Sequence, residues 1–404
     1  MKRHTIAKVA VAACVSLGLC MMVGCAKTRK AGGQMDTPEV HYKQGMKYWD
    51  QGEVAKAEEE FKLAQSLDPK FAPAVAGLAL TTAANARNAT DTKAMESGFK
   101  DAHKLADKSK SLGGGKLAEP FMAKAMVITL ENEGGKKDPK DWIRKVESEY
   151  KDAIKIDPTN SEAYYRRGVC YKKAFMFSEA KADFAEVLKL NKEWTSQADK
   201  EFKLINDIER AAPGTEIGKK IALIEKMGRA DIAALFISEL KIDVLVQKKR
   251  PKVYETGFAA PADSREMEVD KNVKMADVVD MDGHWAKNFV NDIVSLKIRG
   301  LEPGPDHKFY PDQLVNRAEY AMMVEDAIIA ITGDQTIATK HVGDAESRFP
   351  DVNPSHPAYN AICTAADRGI MDAEINGEFG MLQSVSGPEA LLVIRKLKNF
   401  LKLD

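Results

Sequence analysis

The feature that most constrains the fold is a pattern of small and aromatic residues that occurs twice along the chain. The first copy begins at residue 38 and the second at residue 161, with matched positions at the same offsets. The first copy contains Gly45, Tyr48, Gly52, Ala57, Phe61, Ala64 and Pro69, and the second contains Tyr164, Gly168, Tyr171, Ala180 and Phe184. Small residues let two helices touch, aromatic residues pack the next helix, and proline ends the second helix. The pattern predicts an array of helix pairs.

Both copies resemble the tetratricopeptide repeat. The segment Tyr150–Pro158 repeats the end of the unit, as Phe61–Pro69 does, and predicts a further second helix. Between them, residues 71–130 are less regular and are interpreted as divergent helix pairs with lengthened connections. Residues 195–211 form an amphipathic segment that suits a cap on the array. The predicted repeat domain is 38–211, after a linker at 25–37.

The resemblance implies that the first helix of each repeat faces a concave groove that binds a protein partner. The residues expected on this surface are Tyr42, Met46 and Trp49 in the first repeat and Tyr165, Val169 and Lys172 in the last. Aromatic and methionine side chains there suit an extended peptide or a partner helix. The alternative is that these residues pack against neighbouring helices or against the cap.

The C-terminal half contains a different motif in two copies. The first runs from Asp280-Met-Asp-Gly-His-Trp-Ala286 through Phe309-Tyr-Pro311 to Asn316-Arg-Ala-Glu319, and resembles an S-layer homology repeat. The second begins at Phe349-Pro-Asp351 and reaches Gly387-Pro-Glu389, where Arg-Ala-Glu is expected. This copy therefore lacks the arginine of the motif and the ligand contact that goes with it.

A third fragment, Gly228-Arg229-Ala-Asp231 and the residues up to Leu240, resembles the second helix of the same unit. The family commonly places three units around a pseudo-threefold axis. The predicted module covers 212–404, with a half unit at 214–242, an extended linker at 243–275, a unit at 276–332 and a degraded unit at 345–403.

S-layer homology modules bind acidic or pyruvylated cell-wall polysaccharide in grooves between units. The resemblance implies Arg317 and Arg229 as charged contacts and Trp285 as a stacking surface. A guanidinium group matches a carboxylate in two-point geometry, which suits an acidic polymer. Two alternatives stay open: Arg317 pairs with a nearby acidic residue, and Trp285 lies in the core, which is the interpretation we favour for this indole.

The N-terminus predicts export and a lipid anchor. A basic start precedes an apolar run from Val9 to Val23 and the sequence Met22-Val-Gly-Cys25, which resembles a bacterial lipobox. Residues 1–24 are thus a predicted lipoprotein signal peptide and Cys25 the predicted acylated residue, with a soluble secreted product as the alternative. Because Ala26 replaces the aspartate that retains enteric-type lipoproteins in the inner membrane, we expect an outer-membrane protein that faces the periplasm.

Charge and motif content argue against several functions. The 60 basic and 60 acidic residues give no net charge, which does not favour nucleic-acid binding. The seven histidines are scattered, and no nucleophile, zinc, dinucleotide or calcium motif occurs, so we predict no enzyme, no metal and no cofactor. Cys170 and Cys363 lie in helical apolar patterns and are predicted to be buried thiols.

The sequence therefore predicts a mostly α protein, with a solenoid of tetratricopeptide type followed by a helical S-layer homology module with short loops. The predicted function is a lipid-anchored envelope scaffold that binds a protein partner and a cell-wall polysaccharide or peptidoglycan-linked polymer. The alternative is an assembly or secretion accessory for outer-membrane or pilus biogenesis, in which the C-terminal module is structural or binds protein.

Overall fold

A computed structural model describes residues 29–132, 139–249 and 278–403. In these ranges the chain forms helices, turns and two isolated bridges but no strand, which confirms the predicted mostly α fold. The predicted signal peptide and Cys25 lie outside the described residues. The chain divides into two compact units, one up to Ala163 and one from Tyr164 onward.

The first unit consists of successive packed helices. Its helices are α1 (Pro38–Asp50), α2 (Val54–Leu67), α3 (Ala72–Arg87), α4 (Thr92–Gly113), α5 (Glu119–Asn132) and α6 (Pro139–Ile156). Helix α1 starts where the sequence favours it, because Thr37 accepts a hydrogen bond from the Val40 amide and Pro38 occupies the first turn. The predicted first repeat corresponds to α1 and α2, and the predicted further second helix corresponds to α6.

Phe61 explains the small residues of the repeat pattern. Its ring is fully buried, and a Cβ atom added at Gly45 would lie 2.5 Å from Cε1 of that ring. A Cβ atom at Gly77 of α3 would lie 2.4 Å from Cδ1 of the same ring. In the last repeat, a Cβ atom at Gly168 would lie 2.8 Å from Cε1 of Phe184. The glycines therefore leave the space that each central aromatic ring fills.

The divergent region contains two helices that approach each other closely. A Cβ atom on Gly98 of α4 would lie 2.6 Å from the Cβ atom of Ala86 in α3. The buried Ser109 hydroxyl on α4 donates a hydrogen bond of 2.7 Å to the Ala72 carbonyl oxygen. Alanine and glycine at this contact give the small side chains that so short a separation requires. Helix α4 ends at Gly114, whose left-handed φ of 57° suits glycine.

The second unit contains the rest of the array and the C-terminal module. Helix α7 (Ser161–Lys173) leads into it, followed by α8 (Phe177–Leu190), α9 (Thr195–Ala211), α10 (Glu216–Ile221), α11 (Arg229–Leu235), α12 (Ile242–Lys249), α13 (Lys287–Leu296), α14 (Arg317–Thr332), α15 (Tyr359–Asp367) and α16 (Gly387–Leu401). A π-helical turn at Phe236–Leu240 extends α11, and a 3-10 helix occupies Gln335–Thr339. Helix α9 packs against α16, so the last repeat and the module share this unit.

The predicted extended linker at 243–275 starts differently from the prediction. Its first residues belong to α12, whose Ile242 side chain is fully buried and which packs against α13 and α14. The apolar residues at this end of the segment therefore favour a helix over an extended chain, and the sequence interpretation is wrong there. The linker from residue 250 to 275 lies outside the described residues.

The three units of the module meet in a closed ring of backbone hydrogen bonds. The Met227 amide donates to the Val385 carbonyl (2.8 Å), the Val385 amide to Val315 (3.0 Å) and the Val315 amide to Met227 (3.0 Å). Met227 precedes the N-cap of α11, Val315 that of α14 and Val385 that of α16. Each of these helices is the second helix of its unit. The ring has the pseudo-threefold arrangement that the resemblance implies.

Candidate functional site

Arg229 fixes a loop of the neighbouring unit. Its guanidinium group donates to three carbonyl oxygens, those of Phe309 (2.8 Å), Gly300 (2.6 Å) and Glu302 (2.8 Å). The group also lies 4.8 Å from the centre of the buried Phe309 ring, within the range of a cation–π contact. Burial lowers the pKa of Arg229 below that of a free guanidinium group, and the carboxylates of neighbouring residues oppose this shift. Arg229 thus connects the half unit to the complete unit.

Arg317 makes the same arrangement one unit further along. It donates to the carbonyl oxygens of Phe379 (2.8 Å) and Asp372 (2.7 Å), and it lies 4.7 Å from the centre of the Phe379 ring. Its third bond goes to the carboxylate of Glu389, which is the acidic partner that the sequence left open. Burial lowers the pKa of Arg317 as it does that of Arg229.

Each clamped loop is also held from its other side by an aspartate. Asp280 accepts hydrogen bonds from the amides of Phe309 and Tyr310 at 2.8 and 2.7 Å. Asp351 accepts from the amides of Phe379, Gly380 and Met381 at 2.7 to 3.1 Å. Burial alone would raise the pKa of Asp351, but these backbone donors lower it below its usual value. The sequence did not predict this role, although an aspartate precedes the histidine of both copies.

The missing arginine of the last unit has a steric cause. A Cβ atom on Gly387 would lie 1.8 Å from the carbonyl oxygen of Ile221, and the Gly387 amide donates to the Ile224 carbonyl at 2.8 Å. Backbone from the half unit therefore occupies the space that a side chain at this position would need. At the contact between the last unit and the half unit, backbone thus lies where the other two contacts have an arginine side chain.

Trp285 lies at the surface, so the interpretation that favoured the core is wrong. Its side chain is 55% exposed, with ring centres 6.0 Å from His284 and 6.2 Å from Phe289. Trp285 directly precedes Ala286, the N-cap of α13, so the indole lies at the start of this helix. Tyr310, next to a carbonyl that Arg229 binds, is 46% exposed. Both of these aromatic rings are therefore exposed to solvent.

The loop at residues 309–313 connects these aromatic residues with Arg229. The Arg229 amide donates to the Gln313 carbonyl at 3.0 Å, while Nε2 of His284 lies 3.9 Å from a carboxylate oxygen of Asp312. His284 in turn contacts the Trp285 ring. One loop thus contacts both Arg229 and the neighbourhood of Trp285, which the sequence had related only through family resemblance.

A cavity of about 750 Å³ lies in the second unit beside Arg317. Its wall contains Lys172, Lys200 and Leu204 from the last repeat and its cap, and Arg317, Met371 and Leu392 from the module. Lys172 was predicted to bind a protein partner and Arg317 a polymer, and the structure brings them to one cavity. Lys172 also forms an ion pair of 2.6 Å with Glu201.

The other predicted groove residues pack largely against their own repeats. The Tyr42 ring lies 5.8 Å from that of Phe61, and Met46 and Trp49 contact the same apolar cluster. The Tyr165 ring stacks on Trp194 with 4.8 Å between centres. All four side chains are half-buried, so they pack against neighbouring residues and are also partly exposed to solvent. Their role in partner binding stays a prediction.

Two further expectations concern cysteines and metals. Cys170 and Cys363 are buried and form no disulfide, which confirms the predicted thiols. In the described ranges, no group of three histidine, cysteine or acidic side chains is arranged to hold a metal ion. No helix among the described residues is long and apolar enough to cross a bilayer.

Comparison with known proteins identifies both kinds of module. The tetratricopeptide repeat family matches residues 38–71 and 149–196, and the S-layer homology domain matches residues 279–321 and 348–380. No curated protein sequence matches the chain. Among solved structures, a thermophilic tetratricopeptide-repeat protein of Thermus thermophilus is 18% identical with a TM-score of 0.34, over 42% of this chain and 81% of that one. The chain therefore carries tetratricopeptide repeats and then an S-layer homology domain.

Proposed function

We propose that the chain is a non-enzymatic scaffold of the bacterial cell envelope, which binds a protein through its repeats and a cell-wall polymer through its C-terminal module. The order of the two domain families supports this proposal, since one mediates protein interaction and the other cell-wall binding. Both are binding domains, so the scaffold changes none of its ligands chemically.

The observation that carries polymer binding is the exposed aromatic surface beside Arg229. Trp285 leaves 55% of its side chain in water and Tyr310 leaves 46%. Burial of such rings against the apolar face of a sugar recovers about 25 cal/mol for each Å² removed from water. A surface that combines aromatic rings with a guanidinium group suits an acidic saccharide.

The arginines retain capacity for a ligand. A guanidinium group has five N–H donors, and Arg229 and Arg317 each use three of them on protein acceptors. In the proposal, the remaining donors of each group bind a carboxylate of an acidic or pyruvylated polymer. In this proposal Arg229 and Arg317 hold the loops and also contribute one ionic contact each.

The N-terminal sequence supports a lipid anchor at Cys25. Acylation with two or more chains would hold the protein at a membrane, and the residue after Cys25 favours the outer membrane with the protein in the periplasm. Lipid and polymer would then bind the same molecule together, so that each raises the effective concentration of the other. The protein partner would bind at the repeats, where Tyr42, Met46, Trp49, Tyr165 and Lys172 remain partly accessible.

One observation favours the second candidate function. The last unit carries Gly387 where the motif has an arginine, and the backbone at Ile221 leaves no room for a side chain there, so the module lacks one of its three arginine contacts. An assembly or secretion accessory would need the module only as a platform that is structural or binds protein, and would not bind the polymer.

Sedimentation of the purified full chain with isolated cell-wall sacculi tests the proposal. We expect saturable binding that Trp285→Ala weakens. Val342→Ala is the control, because Val342 is another exposed apolar residue of the same module, at 69% exposure. Absence of binding by a folded chain would refute polymer binding and favour the accessory function.

A further inference from the structure

The segment before the first repeat is attached to one end of the α1–α2 helix pair. The Arg29 amide donates a hydrogen bond of 2.8 Å to the carbonyl oxygen of Ser66, which lies in the last turn of α2. At the other end of the segment, Thr37 caps the start of α1. Helices α1 and α2 pack together and are joined by a short turn, so they run antiparallel. Residues 29–36 therefore lie across the end of the pair where α1 starts and α2 ends.

Asp36 holds this segment in place. Its carboxylate accepts a hydrogen bond of 2.6 Å from the Gly32 amide and forms an ion pair with the Arg29 guanidinium group. Nε2 of His41 on α1 lies 2.8 Å from the same carboxylate, and Nδ1 of His41 lies 2.6 Å from a carboxylate oxygen of Glu60 on α2. The Asp36 and His41 side chains are each only 17% exposed. The segment is thus bound to both helices of the repeat.

This attachment limits the distance between the repeat and the predicted lipid anchor. Four peptide units connect Cys25 with Arg29, and an extended chain of that length spans at most about 14 Å. The 14 residues of α2 extend about 20 Å from the attached end to the other end of the helix pair. Without the attachment, thirteen peptide units would connect Cys25 with Pro38 and would span up to about 47 Å.

The outer side of the attached segment has the chemistry of a membrane-binding surface. Residues 29–35 are exposed, and they contain Arg29 and Lys30 but no acidic residue. Met35 leaves 74% of its side chain in solvent. Basic residues close to a membrane are attracted by anionic headgroups, and an exposed apolar side chain is favoured at the boundary between headgroups and acyl chains.

We propose that residues 29–35 bind the phospholipid surface beside an acylated Cys25 and hold the α1–α2 pair end-on against the membrane. The proposal rests on the proposed function, because it requires the lipid anchor. The two basic residues contact anionic headgroups, and Met35 enters the boundary with the acyl chains. The α2–α3 turn at Lys70 then lies near the bilayer, and the α1–α2 turn at Gln51 lies farther from it.

Quenching by lipids with a spin label on the headgroup measures this arrangement. The acylated full chain is reconstituted in vesicles of phosphatidylethanolamine and phosphatidylglycerol, with a fluorophore attached at Lys70→Cys or at Gln51→Cys. Both positions are exposed, and they lie beyond opposite ends of α2. Cys170 and Cys363 are buried, so the fluorophore reacts with the introduced thiol. We expect quenching several times stronger at residue 70 than at residue 51, because about 20 Å of helix separates the two positions.

Asp36→Ala, combined with each labelled variant, tests the attachment of the segment. The substitution removes the carboxylate that binds Arg29, the Gly32 amide and His41, so the tether lengthens and quenching at residue 70 should fall to the value at residue 51. The matched control is Asp101→Ala, because Asp101 is an aspartate of α4 whose ion pair is with Lys104 of the same helix. An unchanged far-ultraviolet circular dichroism spectrum shows that the helices of each variant are folded.

The outcomes separate this surface from the lipid anchor itself. Mass spectrometry of the N-terminal peptide shows whether Cys25 carries acyl chains. Equal quenching at residues 70 and 51 of an acylated chain, or quenching at residue 70 that Asp36→Ala leaves unchanged, would overturn the membrane-facing surface and leave the anchor in place. Absence of acyl chains would instead refute the anchor of the proposed function, and this surface with it.

Discussion

Substitution of Gly387 by alanine tests the steric account of the missing arginine. The added Cβ atom would lie 1.8 Å from the Ile221 carbonyl oxygen, a distance that only backbone movement can relieve. Overpacking of this kind costs about 1–3 kcal/mol. Loss of the 2.8 Å bond from the Gly387 amide to Ile224 adds about 1 kcal/mol. Because alanine is favoured over glycine in helices by about 0.5–1 kcal/mol, we expect a net loss of about 1–3.5 kcal/mol.

Urea unfolding followed by far-ultraviolet circular dichroism measures this loss as a lower midpoint at an unchanged slope. The control is Gly33→Ala, because Gly33 has no atom within 4 Å of an added Cβ atom. We expect the control to change the free energy of unfolding by less than about 0.5 kcal/mol. If Gly387→Ala were as stable as the control, the backbone at Ile221 would not be the reason for the lost arginine.

Three further substitutions test other contacts. Phe61→Ala removes a fully buried ring and should cost about 3–5 kcal/mol in urea unfolding. Arg229→Lys keeps the charge, but its single ammonium nitrogen cannot replace the three guanidinium nitrogens that each bind a different carbonyl oxygen, so we expect a loss of about 2 kcal/mol in the same measurement. The two ring nitrogens of His41 lie 2.6 Å from a carboxylate oxygen of Glu60 and 2.8 Å from one of Asp36. Burial alone would lower the pKa of His41, but these two carboxylates raise it above its usual value of 6.5. Below pH 6.5 the free energy of unfolding of the wild type should therefore exceed that of His41→Asn. This difference should disappear as the pH rises through the pKa that His41 has in the folded state. A difference that stays constant with pH would contradict the ion pairs.

The helix array could be predicted from the sequence because its signals are local. Gly45 and Phe61 lie within one repeat, so their spacing records a contact between adjacent helices. The cap at residues 195–211 followed from its amphipathic period, and α9 has the predicted bounds. Such contacts join residues that are close in sequence, so one amino-acid sequence is enough to predict them.

The contacts between units could not be predicted in the same way. Arg229 reaches carbonyl oxygens of residues 300, 302 and 309, and backbone acceptors leave no mark on the side-chain pattern. The exposure of Trp285 depends on where α13 begins relative to the neighbouring unit, which hydrophobicity alone does not determine. Lys172 and Arg317 were assigned to separate sites because the packing of α9 against α16 has no sequence signature.

The proposed double role of Arg229 and Arg317 determines how polymer binding must be measured. Each arginine holds a loop of the next unit, and the loop at Arg229 also contains Tyr310. Loss of polymer binding in Arg229→Ala would therefore follow either from a lost ionic contact or from a displaced aromatic surface. Trp285→Ala separates the two explanations, since the indole is exposed and holds no loop through hydrogen bonds of the kind that Arg229 makes. Weaker binding in that variant, with the free energy of unfolding unchanged, would assign the saccharide contact to the aromatic surface and the structural role to the arginine.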